Sequence, residues 1–253
     1  MNLIEPRTIQ GMEKMYKCYP GPFAIDKPDL ERIFPGIGKI ETKEYGEWVQ
    51  GNLPIQNLKF INLLVKYLQP RIILEIGTFK GRTTFNMTKN SPKSVVITID
   101  PGPNPDFSSG SDKRYLQELN EVGSFYKSQT QEEKNRIFQL YEDSTSMTCL
   151  EKLDELLQGK KIDFAFIDGG HTYENIKHDF EELVLPRLAD NGVVLFDDYG
   201  RLYTVIGSVH YLAEKAREDN YLFYWYAPKG EENTNEVLFI NKPKSRNYDW
   251  RKK

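Results

Sequence analysis

Apolar residues along this chain follow two periods. Ile55, Leu58, Ile61, Leu64, Val65 and Leu68 recur at helical spacing and Pro70 closes the run, so a helix is predicted from Pro54 to about Leu68. Beyond it, short β-rich apolar runs predict strands over Arg71–Ile76, Val95–Asp100, Ile137–Tyr141, Ile162–Asp168 and Val193–Asp197. Amphipathic stretches near Gly81–Lys89, Asp112–Tyr126, Ser146–Gln158 and Tyr173–Leu188 separate them and predict helices. A further helix, Val205–Glu218, precedes two β-rich runs, Tyr221–Tyr226 and Glu236–Ile240, joined by the polar segment PKGEENTN. That ending reads as an antiparallel hairpin. The alternation predicts an α/β fold: a Rossmann-like, doubly wound, mostly parallel seven-stranded sheet with an antiparallel C-terminal hairpin. A dinucleotide dehydrogenase would continue its βαβ repeat, so the hairpin weighs against one.

Residues 1–52 carry repeated breakers (Pro6, Gly11, Pro20, Pro22, Pro28, Pro35, Gly36, Gly38) and read as an irregular arm or lid. The arm is a candidate cover for a site or a second subunit, so a homo-oligomer joined through it is one expectation. The catalytic domain is expected over 53–242, and residues 243–253 read as a basic, solvated tail. With 34 basic and 37 acidic residues the net charge is −3, which offers no global field for a polyanion and argues against a nucleic-acid partner. Cys18 and Cys149 are far apart and lack metal or redox spacing. No apolar run approaches the roughly 20 residues of a membrane span, and the N-terminal stretch lacks a signal peptide's apolar core. A cytoplasmic protein without membrane association is the expectation.

Ile72-Ile73-Leu74-Glu75-Ile76-Gly77 ends a buried strand, and Gly81 opens the next helix, where the backbone of this fold class approaches its cofactor. By itself such a turn is only a tight strand-to-helix connection. A dinucleotide fingerprint needs a middle glycine for the pyrophosphate, but position 79 is Phe. A carboxylate at Glu75 repels phosphate and suits the ammonium of a methionine moiety, so the ligand reads as zwitterionic. Asp100, ending the second strand, is placed to accept hydrogen bonds from both ribose hydroxyls. Asp143 and Ser144, after the third strand, stand where an adenine would lie, although polar residues there are also ordinary caps.

The stretch LEIGTFKGRTTF, the acid at Asp100, and the run FIDGGHTYENIKHDF followed by GVVLFDDY resemble the class I S-adenosylmethionine-dependent methyltransferases, in particular the cation-dependent O-methyltransferases. The D-G-x-H and D-D patterns recur in relatives that methylate sugar hydroxyls of natural products. The resemblance covers about Leu53 to Lys242 and leaves the arm outside. It implies that Gly77, Thr78 and Phe79 line the methionine part, with Gly81 in the same loop and Thr83 near the carboxylate at the helix N-terminus, which the helix dipole also favours.

Asp168 ends the fourth strand and Asp197 and Asp198 end the fifth, so three carboxylates converge on one crevice beside the cofactor. Gathered like charges call for neutralisation, and Mg²⁺ held by oxygen ligands supplies it. A single aspartate there would read as a helix or loop cap. His171, three residues beyond Asp168 on a Gly169-Gly170 turn, is the candidate general base, whereas His178 and His210 fall on predicted helices. The expected activity is methyl transfer from S-adenosylmethionine to a hydroxyl of a small-molecule acceptor such as a sugar or polyol. Alternatives are a metal-independent N-methyltransferase on an amino sugar, a non-catalytic S-adenosylmethionine-binding subunit, and a nicotinamide-dependent oxidoreductase.

Overall fold

The computed structural model describes residues 30–49, 51–102, 121–197, 211–212, 215, 223–226 and 236–241. Seven strands form one sheet: β1 (Ile72–Ile76), β2 (Val95–Ile99), β3 (Ile137–Leu140), β4 (Ile162–Ile167), β5 (Leu188–Phe196), β6 (Phe223–Tyr226) and β7 (Glu236–Ile240). Their order is β3-β2-β1-β4-β5-β7-β6; the first five run parallel, and β7 pairs antiparallel with both β5 and β6. The Rossmann-like, mostly parallel sheet with an antiparallel C-terminal pair is therefore present.

The strands are apolar on both faces because helices cover both. On one face Ile73, Val96, Phe164, Phe166, Val193, Leu195, Leu238 and Ile240 pack with Phe60, Ile61, Leu64 and Val65 of α1 (Ile55–Leu68) and with Met87 of α2 (Arg82–Asn90). The opposite face joins Leu74, Ile97, Ala165, Val194 and Phe239 to Cys149, Leu153 and Leu157 of α3 (Met147–Leu157) and Ile176 of α4 (Tyr173–His178). Phe34 and Ile37, from the segment read as an arm, are buried in the α1-side core. Lys43, Tyr45, Gly46 and Leu53 are tied to the same helices: Asn62 and Asn90 donate to the Lys43 carbonyl, Asn86 exchanges hydrogen bonds with the Tyr45 backbone, and Arg82 donates to the carbonyls of Gly46 and Leu53. Among the described residues no helix is long and apolar enough to cross a membrane.

Three elements differ from expectation. The helix expected over Tyr173–Leu188 is α-helical only to His178, continues as a π-helical stretch Asp179–Val184, and ends in a 3₁₀ turn containing Pro186, whose missing N–H cannot continue the ladder. Strand β5 begins at Leu188 instead of Val193: Leu188 pairs with Ile162 and Val193 with Phe164, and the intervening residues bulge around Asn191 at a left-handed φ of 62°. Between Asp112 and Tyr126, the described part is helical only at Ser124–Lys127, because Gly123 at φ 69° starts a new turn there. Most of the helix expected over Val205–Glu218, and the hairpin turn, lie outside the described residues.

Leu64 has no exposed surface and lies between α1 and the sheet. Leu64→Ala should cost about 3 kcal/mol of unfolding free energy, through lost transfer energy and an unfilled cavity. Urea denaturation followed by circular dichroism measures it.

Candidate functional site

The C-terminal strand ends are joined by backbone hydrogen bonds that continue the sheet by one step: Gly77 N–H to Ile99 O, Asp168 N–H to Ile76 O, and Asp197 N–H to Ile167 O, at 2.8–3.0 Å. Gly77 sits at φ 96°, and a Cβ there would lie 2.0 Å from the Asp168 carbonyl oxygen. No side chain fits between these two strand ends. Gly81, at φ 78°, precedes α2, and a Cβ on it would strike the Tyr126 ring. Phe79 between them is itself left-handed at φ 47°, an uncommon conformation for a bulky residue.

That conformation is held from two sides. Asp100 Oδ2 accepts the backbone N–H groups of Thr78 (3.1 Å) and Phe79 (3.0 Å), and its Oδ1 accepts that of Gly102 (2.9 Å). On the other side the Phe79 and Lys80 carbonyls accept from the N–H groups of Gly123 and Phe125, and Lys80 pairs with Glu121 at 2.7 Å. A carboxylate has roughly four acceptor positions, and three on Asp100 are used, which leaves about one for a ligand hydroxyl. The sequence-based expectation of two ribose hydroxyls on this side chain narrows accordingly. Thr83 is half-buried in the first turn of α2.

Glu75 is fully buried beneath the loop. Its Oε2 accepts the hydroxyls of Thr84 (2.5 Å) and Thr98 (2.6 Å), whereas Oε1 has no partner. Burial pushes its pKa up to about 8, opposed by the two hydroxyls and assisted by the charge of Asp100. A glutamic acid that is largely neutral near pH 7 neither repels phosphate nor attracts ammonium strongly. The raised pKa weakens the charge discrimination expected of Glu75.

Asp143 Oδ1 accepts from the N–H and hydroxyl of Thr145, both at 2.8 Å, which folds the turn before α3. The Ser144 hydroxyl stands by Asp179, a carboxyl with no exposed surface whose pKa burial raises to about 7. Asp179 Oδ2 also lies near Gly169, where a Cβ would come within 3.5 Å of it. No motif or spacing singles out Asp179. The start of the π-helical stretch, where an extra residue is accommodated, turns it inward.

Asp168 follows Phe166 by two residues and Asp197 follows Leu195 by two, so both lie on the α1 side of adjacent parallel strands. Asp168 is half-buried and Asp197 buried; Asp198 lies outside the described residues. His171 is half-buried between Gly170 and Thr172, the residue that caps α4 by accepting from the Asn175 N–H. Among the described residues no group of three or more His, Cys, Asp or Glu side chains is placed to hold a metal ion.

Two polar residues beside Asp197 were missed from the sequence. Asn57, in the first turn of α1, donates through Nδ2 to Asp197 Oδ1 at 3.4 Å. Its signal was helical phase, since Asn57, Ile61 and Leu64 share the buried stripe. Glu236 opens β7, and the register Phe196↔Val237 makes it the cross-strand neighbour of Asp197. Burial, then the charge of Asp197, pushes the Glu236 carboxyl well above the usual range. Its signal was strand alternation, because Glu236, Leu238 and Ile240 share a face.

A glycine loop closing β1, an acid closing β2 and acids on β4 and β5 define a nucleotide-type site at the carboxyl edge of a Rossmann-like sheet. The sequence profile of a family described as a methyltransferase domain matches residues 74–199, from the end of β1 to just past β5. Tapetum-specific methyltransferase 1 of Arabidopsis thaliana is 25% identical over 173 residues, 68% of this chain and 65% of that protein. A second Arabidopsis thaliana protein, provisionally named a caffeoyl-CoA O-methyltransferase, is 24% identical over the same shares. The chain thus spans about 65% of the length of the curated relatives it matches. The O-methyltransferase TomG of Streptomyces achromogenes, solved with S-adenosylmethionine, superposes with a TM-score of 0.53 at 15% identity, covering 86% of this chain and 99% of that one. Residues 74–199 thus carry a methyltransferase domain of the class I, S-adenosylmethionine-dependent kind.

Gly77→Ala should cost about 3 kcal/mol or more of stability, since the new Cβ meets a backbone carbonyl in a strained conformation, and should abolish S-adenosylhomocysteine binding. Urea denaturation and titration calorimetry read these two effects. Glu75 supplies a pH dependence. Its folded pKa of about 8 lies above the ordinary 4.5, so the folded state keeps a proton that the unfolded state releases, and stability falls as pH rises through that window. Glu75→Gln should lack this part of the slope, on the order of a few kcal/mol between pH 5 and pH 8. Equal slopes in the two proteins would show that Glu75 titrates normally.

Proposed function

We propose that this protein is an O-methyltransferase that moves the methyl group of S-adenosylmethionine to a hydroxyl of a small molecule, with Mg²⁺ holding the acceptor. The carrying observation is the adjacency of Asp168 and Asp197, on one face of neighbouring strands, with Asp168 against the cofactor loop at Gly77. The name of one Arabidopsis thaliana relative, a caffeoyl-CoA O-methyltransferase, agrees with a hydroxyl acceptor.

In this reading the glycine loop carries the methionine part, and Asp100 holds Thr78 and Phe79 while accepting one ribose hydroxyl. Glu75 fixes the floor of the loop through Thr84 and Thr98, and the Asp143-Ser144 turn borders the adenine. Asp168 and Asp197, with Asp198, would hold the cation. The residues fit it in kind, being hard oxygen donors, with buried oxygens of Asn57 and Glu236 nearby that no group among the described residues satisfies. The cation, when bound, orients two acceptor oxygens and lowers the pKa of the one to be methylated. Transfer is an in-line displacement: an acceptor oxygen forms a bond to the methyl carbon, the carbon–sulfur bond breaks, and S-adenosylhomocysteine leaves. His171 takes the hydroxyl proton on an imidazole nitrogen.

With a panel of catechol, sugar and polyol acceptors scored by S-adenosylhomocysteine release, chelation by EDTA should abolish turnover and added Mg²⁺ should restore it. Turnover that survives full chelation would sink the metal reading. His171→Ala should lower turnover about 100-fold or more while leaving the dissociation constant of S-adenosylhomocysteine unchanged. Asp100→Ala should raise that constant at least about tenfold, through loss of both the loop tether and a ligand hydrogen bond; calorimetry checks both.

A further inference from the structure

The Tyr126 ring stands in a slot left by two glycines. A Cβ on Gly81 would lie 2.4 Å from Tyr126 Cδ1, and one on Gly123 would lie 2.4 Å from the Tyr126 hydroxyl oxygen. The glycine that precedes α2 therefore makes room for a tyrosine as well as for the turn of the loop. The tyrosine is 5% exposed, and its hydroxyl reaches Gln139 Oε1 on β3 at 2.8 Å. Gln139 Nε2 lies 3.1 Å from Thr78 Oγ1, 3.3 Å from the Thr98 carbonyl oxygen and 3.1 Å from that of Leu140. From Thr78 the contacts continue to Thr98 Oγ1 at 2.6 Å, and from Thr98 to Glu75 Oε2 at 2.6 Å. Two backbone groups fix the direction of these bonds. Carbonyls only accept, so the end of the Gln139 side chain that faces Thr98 and Leu140 is its NH₂ and the other end is its oxygen. Tyr126 then donates to Gln139, and burial, which raises its pKa, keeps that proton in place. Thr78 accepts from Gln139 and gives its own proton to Thr98, which gives its proton to Glu75.

We infer that Tyr126 and Gln139 are positioning residues of the cofactor site: by holding the Thr78 hydroxyl they fix the glycine loop in the shape that receives S-adenosylmethionine. This rests on cofactor binding at that loop and not on the cation. Of the five side chains in the chain of bonds, Thr78 alone belongs to the loop, and it is held twice. Asp100 accepts its backbone N–H, while Thr98 and Gln139 take up its hydroxyl. A rotation of Thr78 would turn the peptide that leads into Phe79, whose left-handed φ of 47° has to be maintained from outside. A loop already held in its binding shape spares the ligand the free energy of ordering it. The hydroxyl of Thr78 is occupied by protein groups, so its part in cofactor binding is to set the course of the backbone.

The test is calorimetric titration with S-adenosylhomocysteine, arranged as a double-mutant cycle. Tyr126→Phe keeps the ring in its slot and removes only the hydroxyl, whereas Gln139→Leu removes the amide at similar size. Each should raise the dissociation constant about three- to tenfold, the range expected for a lost hydrogen bond. In a Thr78→Val background, which lacks the hydroxyl that Gln139 meets, Gln139→Leu should weaken binding by less than about twofold more. A general loss of stability would not produce that non-additivity. If Gln139→Leu does not fold, Tyr126→Phe forms the same cycle with Thr78→Val. Wild-type affinity in the single variants would overturn the inference and leave the cofactor reading standing. Losses that multiply in the double variant would also overturn it, because Gln139 would then not act through Thr78. Failure of the wild-type protein to bind S-adenosylhomocysteine would remove the cofactor reading and this inference with it.

Discussion

At Gly77 the end of β1 passes so close to the carbonyl of Asp168 on β4 that not even one methyl group fits between them. The rest of the site follows from this approach. It aligns the glycine loop with the acids on β4 and β5, so that a cofactor over Gly77 lies beside the groups proposed to meet the acceptor. The approach works only because the two strands are parallel, adjacent and in a register that continues past their last paired residues, Ile76 and Ile167. The loop that begins there bends through a left-handed phenylalanine. That strain is borne by Asp100 on one side and by the Gly123–Phe125 backbone on the other.

Buried acids give this crevice its electrostatic character. Glu75, Asp179 and Glu236 are all sealed from water, and desolvation is the leading cause of each raised pKa. They differ in how far the fold compensates them. Two threonine hydroxyls satisfy one oxygen of Glu75, whereas neither oxygen of Asp179 has a hydrogen-bond partner among the described residues, although the Ser144 hydroxyl stands beside it. The same holds of both oxygens of Glu236. Groups left uncompensated in a stable fold tend to mark places where stability has been exchanged for function. That reasoning separates Glu75, held beneath the glycine loop by two hydroxyls, from Asp179 and Glu236.

Hydrophobic patterning alone determined the layers of this protein. Period-two runs separated by helical-period runs admit little besides a helix-covered parallel sheet, and the hairpin ending was legible because two β-rich runs flank a polar turn. The places of Asp100, Asp168 and Asp197 just past strand ends were legible because a one-dimensional reading locates the carboxyl edge of such a sheet. Other features depended on distances between residues far apart in the chain. Only packing of α1 against the sheet brings Asn57 to Asp197, 140 positions later in the sequence, and only the antiparallel register of β5 and β7 sets Glu236 beside Asp197. The charge of Glu75 was likewise undecided by its place in a motif, because ionisation depends on desolvation, and desolvation is a property of the folded surroundings.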